Sequence, residues 1–234
     1  SSLPGRAASV PRPCHLRAMA TASRVYKHCV VGGGLTGTAA CRHLAALGED
    51  VVLVGPTEGA HGAHGACYDE GRIYRILDPK ESWARLAELS IGRYAPLAAE
   101  AGVEFFSEVG LLIFGVRGDF IRETQDVAAR MGTRLEELSP EELRVRFPWL
   151  SPSPETELGL LQTEQAGTLS PRKLCQAQLI AARAHGASRV EAAAEAVSRG
   201  AGDGPFSVAL AGGGVVRAEN VLIAAGVYSS LLPL

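Results

Sequence analysis

The residues with the clearest chemical potential form a glycine motif of the pattern G-x-G-x-x-G, which is Gly32-Gly33-Gly34-Leu35-Thr36-Gly37. In this pattern Gly32 permits a tight turn, Gly34 lets the backbone approach a pyrophosphate, and Gly37 lets a helix pack closely on a strand. The N–H groups and the positive dipole end at the start of that helix then bind phosphate. The motif therefore predicts a bound dinucleotide.

The glycine motif does not by itself identify the dinucleotide. In the usual pattern a carboxylate at the end of the second strand bonds the ribose hydroxyls. Here that position is Gly55, and Glu58 lies three residues further on. Either Glu58 reaches back from the loop, or backbone and water hold the ribose. An NADP site would need a nearby arginine, and because the first basic residue after the strand is Arg72, NADP is disfavoured.

The elements predicted around the motif are those that make it informative. An apolar run, Cys29 to Val31, precedes it, and a helical segment with apolar residues three and four apart follows and closes at Gly48. Val51 to Val54 then read as a second buried strand. Strand, turn, helix and strand thus fit within about 30 residues, which is the setting of a dinucleotide-binding unit.

After Gly55 the pattern predicts a long mixed insertion. A helix is expected over residues 82–101, with a kink or break at Pro96 and with core positions Trp83, Leu86, Leu89 and Tyr94. Two strands are expected within 103–116, a helix over 119–131, a capping-box helix starting at Ser139 and a strand over 158–163.

Rossmann-type elements return near residue 171. A helix begins at Ser170-Pro171, a hairpin joins residues 206–210 to 215–217, and a last strand covers 221–225. We therefore predict an α/β fold in which a Rossmann-type domain (residues 25–80 and 165–234) is interleaved with part of an α+β domain (residues 81–164).

Composition excludes several functions. A net charge of −2 and a pI near 6.3 give no electrostatic reason to expect nucleic acid. The five cysteines include no C-x-x-C pair, so neither a disulfide framework nor a zinc site is predicted. His61, His64 and Cys67 are spaced like metal ligands, but their glycine- and alanine-rich loop offers no rigid geometry, and we predict no metal. No apolar stretch is long enough to span a bilayer.

The amino-terminal segment has a different composition. Residues 1–27 contain five basic residues and no acidic one, and they are rich in Ser, Ala and Pro. This composition is typical of an organelle transit peptide, which would direct the protein to a mitochondrion or a plastid. The alternative is that Met19 is the true start, with a cytoplasmic or peroxisomal location. Under both interpretations residues 1–24 are expected to be disordered and outside the fold.

Six segments in register link the chain to a known family. They are the glycine motif, Gly71-Arg72-Ile73-Tyr74-Arg75, residues 108–115 (EVGLLIFG), Phe147-Pro148-Trp149, Gly167-Thr168-Leu169-Ser170-Pro171 and Ala225-Gly226-Val227-Tyr228-Ser229-Ser230. With these segments the chain resembles, from about Lys27 to Leu234, the amino-acid-oxidising flavoproteins related to D-amino-acid oxidase, and most closely the monomeric sarcosine oxidase branch.

The resemblance implies an FAD enzyme that oxidises a C–N bond of a small-molecule substrate, an amino acid or N-methyl amino acid, and passes the electrons to oxygen. In the family the R-x-x-R segment places one guanidinium against the flavin ring and the other on the substrate carboxylate, and the matching residues here are Arg72 and Arg75. Arginine suits both tasks because it binds carboxylates bidentately and stays charged. The last shared segment places Gly226 in the cofactor site.

A histidine precedes this arginine pair in the family. Counting back from Arg72 reaches Tyr68, whereas matching by residue type selects His64 with a slightly longer loop, and both assignments stay open. The family continues well beyond Leu234, and that part carries most of the substrate cage. We therefore expect that this chain is an N-terminal portion and that it is inactive alone.

Three other functions remain as alternatives. One is a dehydrogenase of the same superfamily that passes electrons to a carrier. Another is a flavin-binding assembly or scaffold protein without turnover, which Gly55 and the uncertain histidine would suit. A nicotinamide-dependent dehydrogenase is the least favoured, because the dinucleotide-binding unit is interrupted after residue 55.

Overall fold

The computed structural model of the protein describes residues 24–56 and 65–233. The strands are β1 (Val25–Val31), β2 (Val51–Val54), β3 (Arg72–Tyr74), β4 (Phe106–Ser107), β5 (Leu111–Gly115), β6 (Glu136–Leu138), β7 (Leu158–Gln162), β8 (Gly167–Leu169), β9 (Ser188–Val190), β10 (Ala194–Arg199), β11 (Phe206–Leu210) and β12 (Val215–Ile223). The helices are α1 (Leu35–Ala46), α2 (Glu81–Ile91), α3 (Tyr94–Ala101), α4 (Asp119–Met131), α5 (Pro140–Arg146) and α6 (Pro171–Ala184). A 3-10 helix, Gly226–Leu231, follows β12.

Some of the sequence-based expectations lie outside the described residues. These are the leader up to residue 23, with Met19, and the loop residues Glu58, His61 and His64. Within the described residues, no helix is long and apolar enough to cross a membrane.

The main sheet has six strands in the order β10-β11-β12-β1-β2-β9. The pairs β12–β1, β1–β2 and β2–β9 are parallel, whereas β10, β11 and β12 form an antiparallel meander. Helix α6 carries the chain back to β9, and this helix packs against α1. The predicted α/β architecture with a parallel, Rossmann-type sheet is confirmed.

Both faces of the parallel strands are buried, which explains their unbroken apolar sequences. Successive side chains point to opposite faces. Val30 and Leu53 pack with Cys41 of α1 on the helical face. Cys29 and Val52 pack on the other face, against apolar residues of the meander.

The carboxy-terminal strand differs from the prediction. We expected separate strands over 215–217 and 221–225, but β12 is continuous and pairs antiparallel with β11 and parallel with β1. The intervening polar residues, which suggested a turn, are held within the strand. Glu219 forms an ion pair with Lys27 at 2.7 Å, and Asn220 Nδ2 donates to Lys27 O at 3.0 Å.

The predicted core face of the 82–101 region was wrong. Trp83, Leu86 and Leu89 are 63%, 54% and 63% exposed, whereas Ala84 and Ile91 are buried. The exposed residues and the buried residues both recur at helical spacing. Periodicity therefore did not show which of the two apolar faces of the helix would be buried.

The break in this helical region falls at residues 92–93, before Pro96. Pro96 is the third residue of α3, where a missing N–H removes no intrahelical hydrogen bond. Tyr94, in contrast, does pack in the core as expected.

Two three-stranded antiparallel sheets, β3-β8-β4 and β5-β7-β6, lie apart from the main sheet. The two strands expected within 103–116 are present as β4 and β5, but they belong to different sheets. Helix α4 and the Ser139 capping box are confirmed. The division into domains at residues 81 and 165 stays a prediction.

Gln162, at the end of β7, connects the sheet β5-β7-β6 to the backbone that follows β3. Its side chain is 1% exposed, and its Oε1 accepts hydrogen bonds from the N–H groups of Ile76 at 3.2 Å and Leu77 at 3.1 Å. Its Nε2 donates to the carbonyl groups of Glu164 at 2.8 Å and Gln165 at 3.1 Å. This one amide therefore fixes the chain directly after Arg75.

Replacing Gln162 with leucine should lower the free energy of unfolding by about 2–5 kcal/mol. The N–H groups of Ile76 and Leu77 would stay buried without an acceptor, and each unsatisfied donor costs about 1–3 kcal/mol. Chemical denaturation of both proteins measures this difference. Gln176→Leu on the exposed face of α6 is the control and should change stability by about 0.5 kcal/mol at most; equal losses in the two variants would contradict the role of Gln162.

Candidate functional site

The glycine motif occupies the turn between β1 and α1, where three backbone segments meet without room for side chains. Gly32 has φ +119°, and a Cβ there would lie 2.3 Å from Ala224 O. A Cβ on Gly37 would lie 1.9 Å from Gly32 O. The fold itself therefore requires glycine at both positions, for the turn and for the close approach of α1.

Gly34 is different, because the fold does not require its small size. Its φ of −81° suits any residue, and the nearest atom to a Cβ there would be Cys67 Sγ, at 3.8 Å. No side chain among the described residues caps α1, and its first turn carries no acidic residue. The first N–H groups of α1, including those of Leu35 and Thr36, are thus available to an anion. The absence of a side chain at Gly34, beside these donors, would let a pyrophosphate approach the backbone.

The structure explains why no carboxylate ends β2. A Cβ on Gly55 would lie 2.7 Å from Gly33 N, so a side chain at this position would collide with the glycine motif. Gly55 N also donates to Val190 O at 3.1 Å, which fixes the end of β2 beside β9. A ribose bound here cannot be held by a side chain at position 55.

The segment of residues 65–71 lies near the glycine motif, because Cys67 Sγ would be 3.8 Å from a Cβ on Gly34. Arg72, which follows this segment, binds back to it. Its guanidinium donates to Ala66 O at 2.9 Å and forms an ion pair with Asp69. Of the two candidates for the histidine position, Tyr68 is 41% exposed, with the Arg172 guanidinium 4.9 Å from its ring centroid. The structure thus places the segment of Arg72 beside the predicted phosphate site.

Arg75 lies in a different environment from Arg72. Its Nε donates to Leu77 O at 2.6 Å, and its Nη2 donates to Asp78 Oδ2 at 3.3 Å. The side chain borders an open groove of about 370 Å³ between β3 and α2, whose walls include Trp83 and Leu86. The two arginines therefore do not share partners.

Tyr74 is a residue of this region that the sequence analysis missed. It borders the same groove and is 4% exposed, and its hydroxyl has no hydrogen-bond partner among the described residues. Burial, reinforced by the charge of Glu108, raises the pKa of Tyr74, which keeps the phenol protonated. The alternation in Arg72-Ile73-Tyr74-Arg75 could have indicated an inward-facing tyrosine.

Gly226 lies close to the glycine motif. Ala224 N donates to Val31 O at 2.7 Å, and Ala225 N would lie 3.0 Å from a Cβ on Gly32. Gly226 follows directly with φ +58°, while a Cβ there would meet no atom within 4 Å. Glycine is favoured at this position by its backbone conformation.

Cys29 and Cys41 are buried thiols of low reactivity. Burial raises the pKa of Cys29 to about 12 and the pKa of Cys41 to about 11, so both stay protonated at neutral pH. Cys67 is the half-buried thiol beside Gly34. No cluster of possible metal ligands occurs in the described part of the chain.

Comparison with known proteins identifies a family and relatives. A family model described as FAD dependent oxidoreductase (DAO) matches residues 27–234. The peroxisomal sarcosine oxidase of Homo sapiens is 28% identical over 146 residues, which are 61% of this chain and 36% of that protein. Its Mus musculus counterpart is 27% identical over 131 residues, covering 56% and 33% of the two chains.

Solved structures show the same fold. A variant of NikD, an unusual amino acid oxidase essential for nikkomycin biosynthesis, is 25% identical with a TM-score of 0.74, and the match covers 90% of this chain and 53% of that chain. A glycine oxidase from Bacillus cereus is 20% identical with a TM-score of 0.67, covering 88% and 57%. The resemblance to amino-acid-oxidising flavoproteins is confirmed, and this chain spans about half the length of these structures.

Gly34→Ala should weaken FAD binding by about tenfold or more, because the added methyl group would hinder the approach of the pyrophosphate. The fold should stay intact, because the methyl group would meet only Cys67 Sγ, at an ordinary contact distance of 3.8 Å. Flavin fluorescence titration measures the affinity, and thermal unfolding measures the stability. Gly115→Ala, at a position where a Cβ would meet no atom within 4 Å, is the control and should change neither quantity. Unchanged FAD affinity in Gly34→Ala would contradict this use of Gly34.

Proposed function

We propose, because this chain belongs to the DAO family of FAD-dependent oxidoreductases, that the protein oxidises a C–N bond of an amino acid or N-methyl amino acid with FAD as its cofactor. The observation that carries the proposal is the glycine motif, in which Gly34 keeps side chains away from the uncapped start of α1. The match covers about half of each solved relative, so we propose FAD binding for this chain and turnover for the whole protein.

The proposed cofactor contacts are mainly backbone contacts. The N–H groups of Leu35 and Thr36, with the dipole of α1, would hold the pyrophosphate, and Gly34 would let it approach. Gly226 would border the same cofactor from the end of β12. The bound flavin would supply the two-electron acceptor that the side chains of this protein lack.

Arg72 would contribute charge to this site. Its guanidinium is held by Ala66 O and Asp69, on the segment that lies near Gly34. A fixed cation beside the flavin ring would favour the arrival of electrons there, because it is preorganised and needs no rearrangement during the reaction.

Arg75 would bind the substrate carboxylate. Leu77 O and Asp78 accept from two of its five N–H donors, and Nη1 donates no hydrogen bond to a described residue. A guanidinium at the edge of a groove with apolar walls can bind a carboxylate bidentately and orient the neighbouring C–N bond. Gln162 supports this role, since it fixes the backbone of the next two residues.

Titration of the chain with FAD and, separately, with NAD tests the cofactor assignment. We expect the visible flavin spectrum to be perturbed on binding and NAD to have no effect, because the interrupted dinucleotide-binding unit matches the family of FAD enzymes. Binding of NAD without binding of FAD would overturn the proposal.

Arg75→Gln in the whole protein should weaken binding of a carboxylate substrate by about 10- to 100-fold, since a bidentate charged interaction is lost. The measurements are KM for amino-acid substrates and the flavin spectrum, which should stay unchanged. Arg122→Gln is the control, because this exposed arginine of α4 pairs with Asp119 away from the groove. If the protein is a scaffold without turnover, neither the unsubstituted protein nor either variant will oxidise amino acids.

A further inference from the structure

Glu70 connects the segment at the candidate cofactor site to the start of α6. Ser170 Oγ donates to Glu70 Oε2 at 3.1 Å, and Arg172 Nη1 lies 2.7 Å from Glu70 Oε1. The Arg172 guanidinium also lies over the ring of Tyr68. Residues 65–71 are thus attached to α6 through a carboxylate and an aromatic ring.

The α6 end of this connection is itself fixed. Ser170 is 9% exposed, its N–H donates to Phe105 O at 2.7 Å, and its Oγ accepts from Lys173 N at 3.3 Å as the cap of α6. Helix α6 packs on α1, where Arg42 donates to the buried Gln178. The position of Ser170 is therefore set relative to α1.

The other end of the segment reaches the phosphate site. Cys67 lies beside Gly34, and Arg72, the first residue of β3, donates to Ala66 O of the segment. Residues 65–71 are thus held at two places. Cys67 lies beside the glycine motif at the start of α1, and Glu70 binds the start of α6, which itself packs on α1. Residues 65–71 contribute no helix or strand, so side-chain contacts of this kind are what can order them.

We propose that Glu70 is a positioning residue for FAD, because its contacts with Ser170 and Arg172 hold residues 65–71 against Gly34 before the cofactor binds. A segment that is ordered in advance does not have to lose its conformational freedom on binding, and this raises affinity without a new contact. The inference rests on the proposed function. Glu70 acts through residues 65–71, which carry Cys67 and precede Arg72, and it has no catalytic part.

The test uses Glu70→Ala and Glu70→Gln, with Glu219→Gln as the matched control. Glu219 is another exposed carboxylate with a 2.7 Å ion pair, but its partner Lys27 lies on β1 at the end of the main sheet away from the glycine motif. Flavin fluorescence gives the Kd for FAD. The rate at which a thiol reagent modifies Cys67 without FAD, read by peptide mass spectrometry, reports how firmly the segment is held.

In Glu70→Ala we expect the Kd for FAD to rise about three- to tenfold and Cys67 to be modified faster. Glu70→Gln should fall between this variant and the unsubstituted chain, because its amide oxygen still accepts from Ser170 but carries no charge. Glu219→Gln should change neither quantity. Thermal unfolding confirms that each variant is folded, and Glu70→Gln, which keeps the side-chain shape, decides the question if the alanine variant does not fold.

Two results overturn the inference and leave the proposed function standing. One is an unchanged Kd in both Glu70 variants, even if Cys67 reacts faster, since the segment would then move without consequence for the cofactor. The other is a rise in the Kd for FAD of Glu219→Gln that equals the rise in the Glu70 variants. Failure of the unsubstituted chain to bind FAD would instead overturn the proposed function, and this inference with it.

Discussion

The close crossing of backbones at the glycine motif is the constraint on which the rest of the structure depends. A Cβ on Gly32, Gly37 or Gly55 would lie between 1.9 and 2.7 Å from a backbone atom of a neighbouring segment. These contacts bring together the carboxyl ends of β1, β2 and β12 and the start of α1. In open parallel sheets ligands bind at this edge, so the packing that forms the sheet also forms the phosphate site.

The same constraint changes how a dinucleotide is held. The close approach of Gly55 to Gly33 leaves no room for the carboxylate that usually ends the second strand. Among the described residues, the backbone N–H groups and the helix dipole of α1 are the fixed elements that can bind phosphate, and Gly34 lies in front of them without a side chain. The second glycine of the motif is thus free for the ligand, whereas the first and third serve the fold.

Two polar connections hold the backbone on either side of the R-x-x-R segment. Gln162 fixes the backbone after Arg75, and Glu70 fixes the segment before Arg72. Both residues were missed by sequence reasoning. A polar residue at the end of the apolar run of β7 was the available signal for Gln162, whereas Glu70 has only its position before the R-x-x-R segment. Buried or partly buried polar contacts of this kind specify one arrangement of neighbouring elements.

The sequence alone determined β1, the glycine motif, α1 and β2, helix α4 and the capping box at Ser139, because each depends on residues only a few positions apart. It also supported the family, through six short segments in register. Tertiary structure decided the exposure of Trp83, the continuity of β12 and the pairing of Glu70 with Ser170. Glu70 and Ser170 are 100 positions apart in the chain. Pairings over such distances follow from the packing of whole elements. Local periodicity contains no information about which of two apolar faces, or which distant partner, that packing selects.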